Sequence, residues 1–330
     1  MTPLRSWRRV VVKVGSALVA PHGEPSDEHL EGIARFATAS LDAGLEVVIV
    51  SSGAVASGRG VGDRRPRTIP EKQALAAIGQ PRLVARWARL LETSVAQVLL
   101  THDDLSHRGR FLNARNTFAE LLSRGIIPIV NENDTVAVEE LKVGDNDNLA
   151  AHVAVLTDAD LLVICTDVAG FYDADPRSVL EAALVPVVEC IDASVRAMAG
   201  GAGTEAGTGG MRTKLQAAEK ATARGIDTVL LDGTSAPALE ALANGRVEGT
   251  LFRALDPPLS ARKHWLLHAT PAAGRITIDA GAARAVLEGG ASLLASGVAS
   301  FEGDFGRADV VEIVDLEGGV IGRGASRYSA

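Results

Sequence analysis

The 330-residue sequence holds only two cysteines, Cys165 and Cys190, with no C-x-x-C spacing and no histidine cluster beside either. That excludes a disulfide scaffold and a zinc ribbon, and it fits the reducing cytoplasm. No apolar run approaches the ~18 residues of a membrane span, and none of signal-peptide length follows the charged start Met1 to Arg9. No membrane partner is expected. Positive charge is outweighed, with 33 basic against 41 acidic residues and a formal net charge of −8. This disfavours a protein that works mainly by neutralising nucleic-acid phosphates. Lysine is scarce: only Lys13, Lys72, Lys142, Lys214, Lys220 and Lys263, the other 27 basic residues being arginine. Some of these are residual. Others mark positions that use a compact ammonium in place of a planar fork. Lys13 and Lys214 stand out because both adjoin glycine-rich turns.

What is present is a core. Hydrophobic residues make up 47% and charged residues 22%, which excludes wholesale disorder, and the length suits roughly two domains of about 150 residues. Over the first 250 residues short β-branched runs alternate with helical periodicity. Strands are expected at 8–14, 46–50, 96–100, 126–130, 160–165 and 227–231. Helices are expected from a cap at Ser26 to Ala43 (closed by Gly44), and over 71–92, 114–124, 148–156 and 213–224. This alternation predicts an α/β fold, a mostly parallel sheet sandwiched by helices. Ligands of such sheets bind beyond the carboxyl ends of the strands. Composition shifts near Ala254, predicting a catalytic domain over 1–254, a linker over 255–270 and a small β-rich domain over 271–330. In that domain strands are expected at 275–279, 297–301, 309–314 and 320–324, with a helix at 281–288. Six glycines among residues 200–210 suggest a mobile loop.

Three familiar signatures fail. No lysine follows a glycine, so there is no Walker A loop. Gly58-x-Gly60-x-Gly62 has the wrong spacing for a dinucleotide fingerprint. Asp145-x-Asp147 lacks the calcium-loop residues, with Ala150 and Leu156 at the sixth and twelfth positions. What remains are turns suited to anions and carboxylates. Lys13 precedes Gly15-Ser16, where backbone N–H groups would face an anion; alone, it is equally a strand-end lysine reaching solvent. Ser51-Ser52-Gly53-Ala54 opens a helix after a buried strand, an anion site or plain capping. The polar clusters Asn131–Asp134 and Gly144–Asn148 are placed in strand-end loops, as binding groups or as turn formers. Thr166-Asp167 is a similar strand-end pair. Thr208–Lys214 leads into a helix, where glycines permit close phosphate approach, or else forms a flexible linker.

These segments resemble the bacterial glutamate 5-kinase family, of the amino-acid-kinase fold with a C-terminal PUA domain. The resemblance runs through VVVKVGSALV, VIVSSGAVASG, RFLNARNT, PIVNENDTVA, KVGDNDNLAA, TDVAGFYDADPR and GTGGMRTKLQAA, and continues in PAAGRITIDAGA and SRY. It implies ATP-dependent phosphorylation of the side-chain carboxylate of L-glutamate to L-glutamyl 5-phosphate, the first step of proline biosynthesis. By the same resemblance Lys13 is the ATP-phosphate lysine, Lys214 the second lysine flanking the transferred group, and Asp147 the aspartate that orients both. Ser52, Asp134 and Asn146 match glutamate-binding residues. Thr166, Asp167 and the run Thr208, Gly209, Gly210, Met211, Arg212, Thr213, Lys214 match ATP-binding segments. Proline as feedback inhibitor, a homo-oligomer (dimer or tetramer) and coupling to glutamyl-phosphate reductase are implied too. The family usually continues past SRY, so a shortened PUA module is expected.

The chemistry needs no general base, since a glutamate carboxylate with a pKa of about 4.3 is already ionised. It needs an anion brought in line with a polyanion, hence ammonium groups, backbone N–H groups and Mg²⁺ held mainly by phosphates and water, with one or two carboxylates assisting. No protein metal ligand set is expected. Two rival readings remain: another enzyme of this fold, such as acetylglutamate kinase, and an RNA-binding accessory protein acting through the PUA domain. The second is disfavoured by charge, because residues 271–330 hold five arginines and no lysine against eight acids, net −3.

Overall fold

The computed structural model describes residues 1–60, 66, 68–136, 146–199, 210–260, 263, 267, 272–289, 293–307 and 309–330. The chain divides into two compact units, 1–258 and 259–330. The expected linker, 255–270, lies partly outside the described residues, and the glycine-rich loop at 200–210 almost wholly so.

The first unit is built on an eight-stranded sheet. Its strands are β1 (Arg9–Val14), β2 (Glu46–Ser51), β3 (Val95–Leu100), β4 (Ile127–Glu132), β5 (Leu161–Thr166), β6 (Val187–Val188), β7 (Asp227–Asp232) and β8 (Thr250–Phe252), in the order β3-β4-β2-β1-β5-β7-β8-β6. The six long strands pair in parallel, while β8 runs antiparallel to β7 and carries β6 parallel to itself. Runs such as RVVVKV and LLVICT are nearly all apolar because a central parallel strand is covered on both faces.

The period-2 alternation assigns the faces. Val10, Val12, Val47 and Ile49 point into one core layer, with α1 (Leu30–Asp42), α3 (Ile69–Leu91) and α7 (Ala236–Ala243) against it. Val11, Val48, Val50 and Ile164 point into the other, covered by α4 (Arg108–Ser123), α5 (Asn146–Leu156) and α6 (Met211–Thr222). Lys13 follows Val11 by two residues and so faces this second layer. A short helix, α2 (Ala54–Gly58), follows β2. Helix α3 opens with a capping box, Thr68 accepting from Glu71 N–H and Glu71 accepting in return.

Three expectations need correction, and three elements were not foreseen. Ser26 does not cap α1, which begins at Leu30; its hydroxyl accepts from Glu28 N–H and closes the preceding turn. Helix α4 starts at Arg108, six residues before the expected start; that first stretch is largely exposed and shows no apolar stripe. The polar clusters are not both loops. Asn131 and Glu132 end β4, and Asn146, Asp147 and Asn148 form the first turn of α5; Gly144 and Asp145 lie outside the described residues. Helix α7 and the reversed strands β6 and β8 carry no clear sequence signal, the strands being two and three residues long.

The second unit holds a four-stranded sheet of β9 (Gly274–Ile278), β10 (Val298–Gly303), β11 (Val310–Val314) and β12 (Val320–Ala325), in the order β10-β9-β11-β12. Helix α8 (Ala280–Gly289) follows β9. Among the described residues of this unit, Ile278, Phe305, Val310, Val311 and Val314 are buried. Both the mixed, mostly parallel sheet and the separate β-rich unit agree with the expected fold class.

Candidate active site

Lys13, one residue from the end of β1, sends its ammonium to Asp147 on the first turn of α5, with Nζ 2.6 Å from Oδ1. Lys214, on the first turn of α6, reaches the other carboxylate oxygen from Nζ at 3.3 Å. Thr213 Oγ1 donates to that oxygen at 2.7 Å. Three segments far apart in sequence thus meet on one carboxylate, with Lys13, Asp147 and Lys214 only 5%, 2% and 7% exposed. Two cations on one anion leave the trio with one positive charge in excess, at a depth where charge is costly unless paired.

The electrostatics follow from this arrangement. Burial opposes ionisation of Asp147, but the Lys13 and Lys214 charges outweigh it and hold the carboxyl below its ordinary value. The helix N-terminus also favours an anion there. Burial lowers the Lys214 pKa, and Lys13 adds to the lowering, while Asp147 opposes both. The first turn of a helix is the end where a cation is least welcome, so Lys214 is held by anions. Gly15 lies beside this group: a side chain there would come 3.6 Å from Lys13 Nζ.

A second group lies at the ends of β2 and β4. Asn146 donates from Nδ2 to Ser52 Oγ at 2.8 Å and to Asn131 Oδ1 at 3.0 Å. Asn131 Oδ1 also accepts from Glu132 N–H. The Asn146 side-chain amide oxygen, Oδ1, is buried with no hydrogen-bond partner among the described residues. Ser52 passes directly into Gly53, whose φ of 101° is left-handed and whose missing side chain would collide with Val19 at 2.4 Å. Only glycine fits that turn. Asp134 lines a hollow of about 250 Å³ with Gln80, Gln97, Asn133 and Thr135, among others. Burial pushes its carboxyl up to about 6.

A third group follows β5. Thr166 Oγ1 donates to Asp167 Oδ1 at 3.1 Å, and Thr166 O accepts from Gly233 N–H at 2.8 Å. The Asp167 charge reaches Lys214. Gly210 is the cap position of α6, followed by Met211 and Arg212. Thr208 and Gly209 lie outside the described residues. The structure therefore gathers Lys13, Lys214, Asp147 and Thr213 in one contact set and Ser52 with Asn146 in another. Adjacent Asn146 and Asp147 join the two sets. Sequence reasoning gave no separate role to Asn131 or to the Asp232-Gly233 turn beside Thr166. The turn was legible as one more small-residue break after a strand.

Residues 8–232 match the amino acid kinase family, and residues 274–330 match the PUA domain. A Salinibacter ruber protein described as glutamate 5-kinase is 57% identical, the alignment covering 99% of this chain and 89% of the relative. Proteins of that description from Xanthomonas campestris and Idiomarina loihiensis are 54% and 47% identical, covering 97% and 98% of this chain and 90% and 89% of theirs. Among solved structures, a UMP kinase from Bacillus anthracis superposes with a TM-score of 0.52 at 16% identity, over 76% of this chain and 97% of its own. That likeness concerns the fold alone.

Proposed function

The chain belongs to the amino acid kinase family, and from that premise we propose that it transfers the γ-phosphoryl of ATP to the side-chain carboxylate of L-glutamate, giving L-glutamyl 5-phosphate. The observation that carries the reading is the meeting of Lys13 and Lys214 on Asp147. The description shared by its curated relatives supplies the acceptor. Lys13 and Lys214 are the catalytic cations on the transferred group. Asp147, with both oxygens engaged, sets their spacing and takes no proton.

The acceptor carboxylate is ionised at neutral pH, so catalysis here is positioning and charge neutralisation. ATP is bound along Lys13, Thr166, Asp167 and the run Thr208, Gly209, Gly210, Met211, Arg212, Thr213, Lys214. Glutamate is bound by Ser52, Asp134 and Asn146. The buried Asn146 side-chain oxygen Oδ1 and the Asp134 carboxylate suit its ammonium. Mg²⁺ fits as an ion carried by the triphosphate. Asp147 has its oxygens taken by cations and Thr213, while Asp167 stands among the residues read as the nucleotide side. When bound, Mg²⁺ neutralises phosphate charge.

By the same reading L-proline inhibits through the glutamate pocket, the protein is a cytoplasmic homo-oligomer, and a reductase consumes the labile acyl phosphate. No described helix is long and apolar enough to cross a membrane. The proposed division is catalytic over 1–254, linking over 255–270 and PUA-like over 271–330. The test is ADP release with glutamate, N-acetylglutamate, aspartate and UMP, each with and without proline. Turnover with glutamate, weakened by proline and restored by more glutamate, is expected. Turnover with another acceptor alone would overturn the assignment.

A further inference from the structure

The back face of the sheet holds a polar group that the reaction does not explain. Trp87, on α3, is fully buried. Its indole N–H can only donate, and a buried donor needs an acceptor. It finds Ser51 Oγ at 2.9 Å. Having accepted there, the Ser51 hydroxyl has its own hydrogen free to donate, and Ser52 O lies 3.0 Å away.

Ser51 and Ser52 sit on opposite faces of the sheet. Ser51 continues Val47 and Ile49 into the layer of α1 and α3, while Ser52 emerges on the site side. The Ser52 backbone is held twice, by the Ser51 hydroxyl on its carbonyl and by its own N–H donating to Val14 O at 3.0 Å. Its side chain accepts from Asn146. Immediately afterwards the chain turns through Gly53, the residue with the widest conformational freedom. Without the hydroxyl, the Ser52–Gly53 peptide would have one fewer restraint at the point that aims Ser52 Oγ.

We propose that Trp87 and Ser51 are positioning residues. They form a hydrogen-bonded strut from the rear core that fixes Ser52, and through it Asn146, for recognition of the amino-acid substrate. This rests on the reading of Ser52 and Asn146 as glutamate-binding residues. Neither Trp87 nor Ser51 touches the substrate. Both act through the Ser52 carbonyl.

The test uses the full-length protein and steady-state kinetics in both substrates. Trp87→Phe keeps an aromatic ring but removes the N–H along with part of the indole's volume; Ser51→Ala removes the hydroxyl; Ser51→Thr keeps it. Leu83→Val trims the same layer, where Leu83 is fully buried, without touching the strut. Trp87→Phe and Ser51→Ala are expected to raise the glutamate KM roughly 3- to 10-fold, the scale of one neutral hydrogen bond. The kcat and the ATP KM should hold within about twofold, and Ser51→Thr should restore the glutamate KM. A glutamate KM unchanged in both Trp87→Phe and Ser51→Ala would overturn the proposal. So would an equal rise in Leu83→Val once melting temperatures are matched, since general loosening would then suffice. If Ser51→Ala does not fold, Trp87→Phe against Leu83→Val decides alone. Wild-type enzyme that ignores glutamate but turns over another acceptor would defeat the functional reading; the same variants assayed on that acceptor still decide the strut.

Discussion

At the residue scale the proposed chemistry bears most heavily on Lys214. It is a buried cation on the turn of a helix that disfavours cations, held against a carboxylate already paired with Lys13. Lys214→Ala is expected to lower kcat on the order of 10²-fold or more, the scale of one preorganised charge contact, with a modest change in glutamate KM. An unchanged kcat would remove it from the mechanism. Asp134 behaves in the opposite way. Its carboxyl is raised to about 6 by burial, and in the proposed role it is the charged form that would pair with a substrate ammonium. The kcat/KM for glutamate should therefore fall as pH drops through about 6. In Asp134→Asn that limb should vanish and the glutamate KM should be high throughout; a limb that survives would assign it to another group.

Stability should move the other way. For a carboxyl raised in the folded state, the contribution is present below its unfolded pKa of about 3.9 and is lost as pH climbs through about 6. Asp134→Asn should then melt higher than wild type at pH 7.5, by a margin that narrows toward pH 4. Differential scanning calorimetry across that range checks the sign. A variant less stable than wild type at pH 7.5 would contradict it.

Among the elements, the contact of α2 with α3 carries the tightest fit. A side chain at Gly79 would lie 1.8 Å from Ala54 O and 2.5 Å from Gly58 N, and one at Gly58 would lie 1.9 Å from Leu75 O. The two helices touch backbone to backbone, and α2 follows directly from Ser52 and Gly53. Gly79→Ala should cost about 1–3 kcal/mol, the range for overpacking a core, and should raise the glutamate KM because α2 must shift. Chemical denaturation and steady-state kinetics on one preparation test both. Normal stability would mean that the helices part without penalty.

This scale also separates what the sequence discloses from what it hides. The parallel strands were legible because burial on both faces writes itself as short apolar runs such as 10–14 and 161–165. Glycines beside a strand-end lysine and beside a helix-start lysine pointed to Lys13 and Lys214. The helical placement of Asn146 and Asp147, ahead of the helix expected from 148, was not legible, because asparagine and aspartate signal turns equally well. The exposed first turns of α4 lack an apolar stripe. Strands of two or three residues, such as β6 and β8, are too short to show a period. The bond from Asn146 to Asn131 joins positions whose proximity only the parallel sheet creates.

Taken whole, the molecule carries a formal charge of −8, which suits small anionic substrates only where local cations override the general field. A basic pair inside an acidic protein is such an override. Residues 271–330, themselves net −3, lack the electrostatic drive for non-specific nucleic-acid binding. A gel shift with tRNA at physiological salt should show no retention, and a salt-sensitive complex would contradict that expectation.

The account turns on Lys13 and Lys214 acting as a unit on one phosphoryl group. Single-turnover glutamyl phosphate formation should be measured in Lys13→Ala, in Lys214→Ala and in the double variant, each saturated with ATP and glutamate. Groups acting together give grossly non-additive losses, so the double variant should be little slower than the worse single one. Losses that multiply in full would show two independent contributions and contradict the claim.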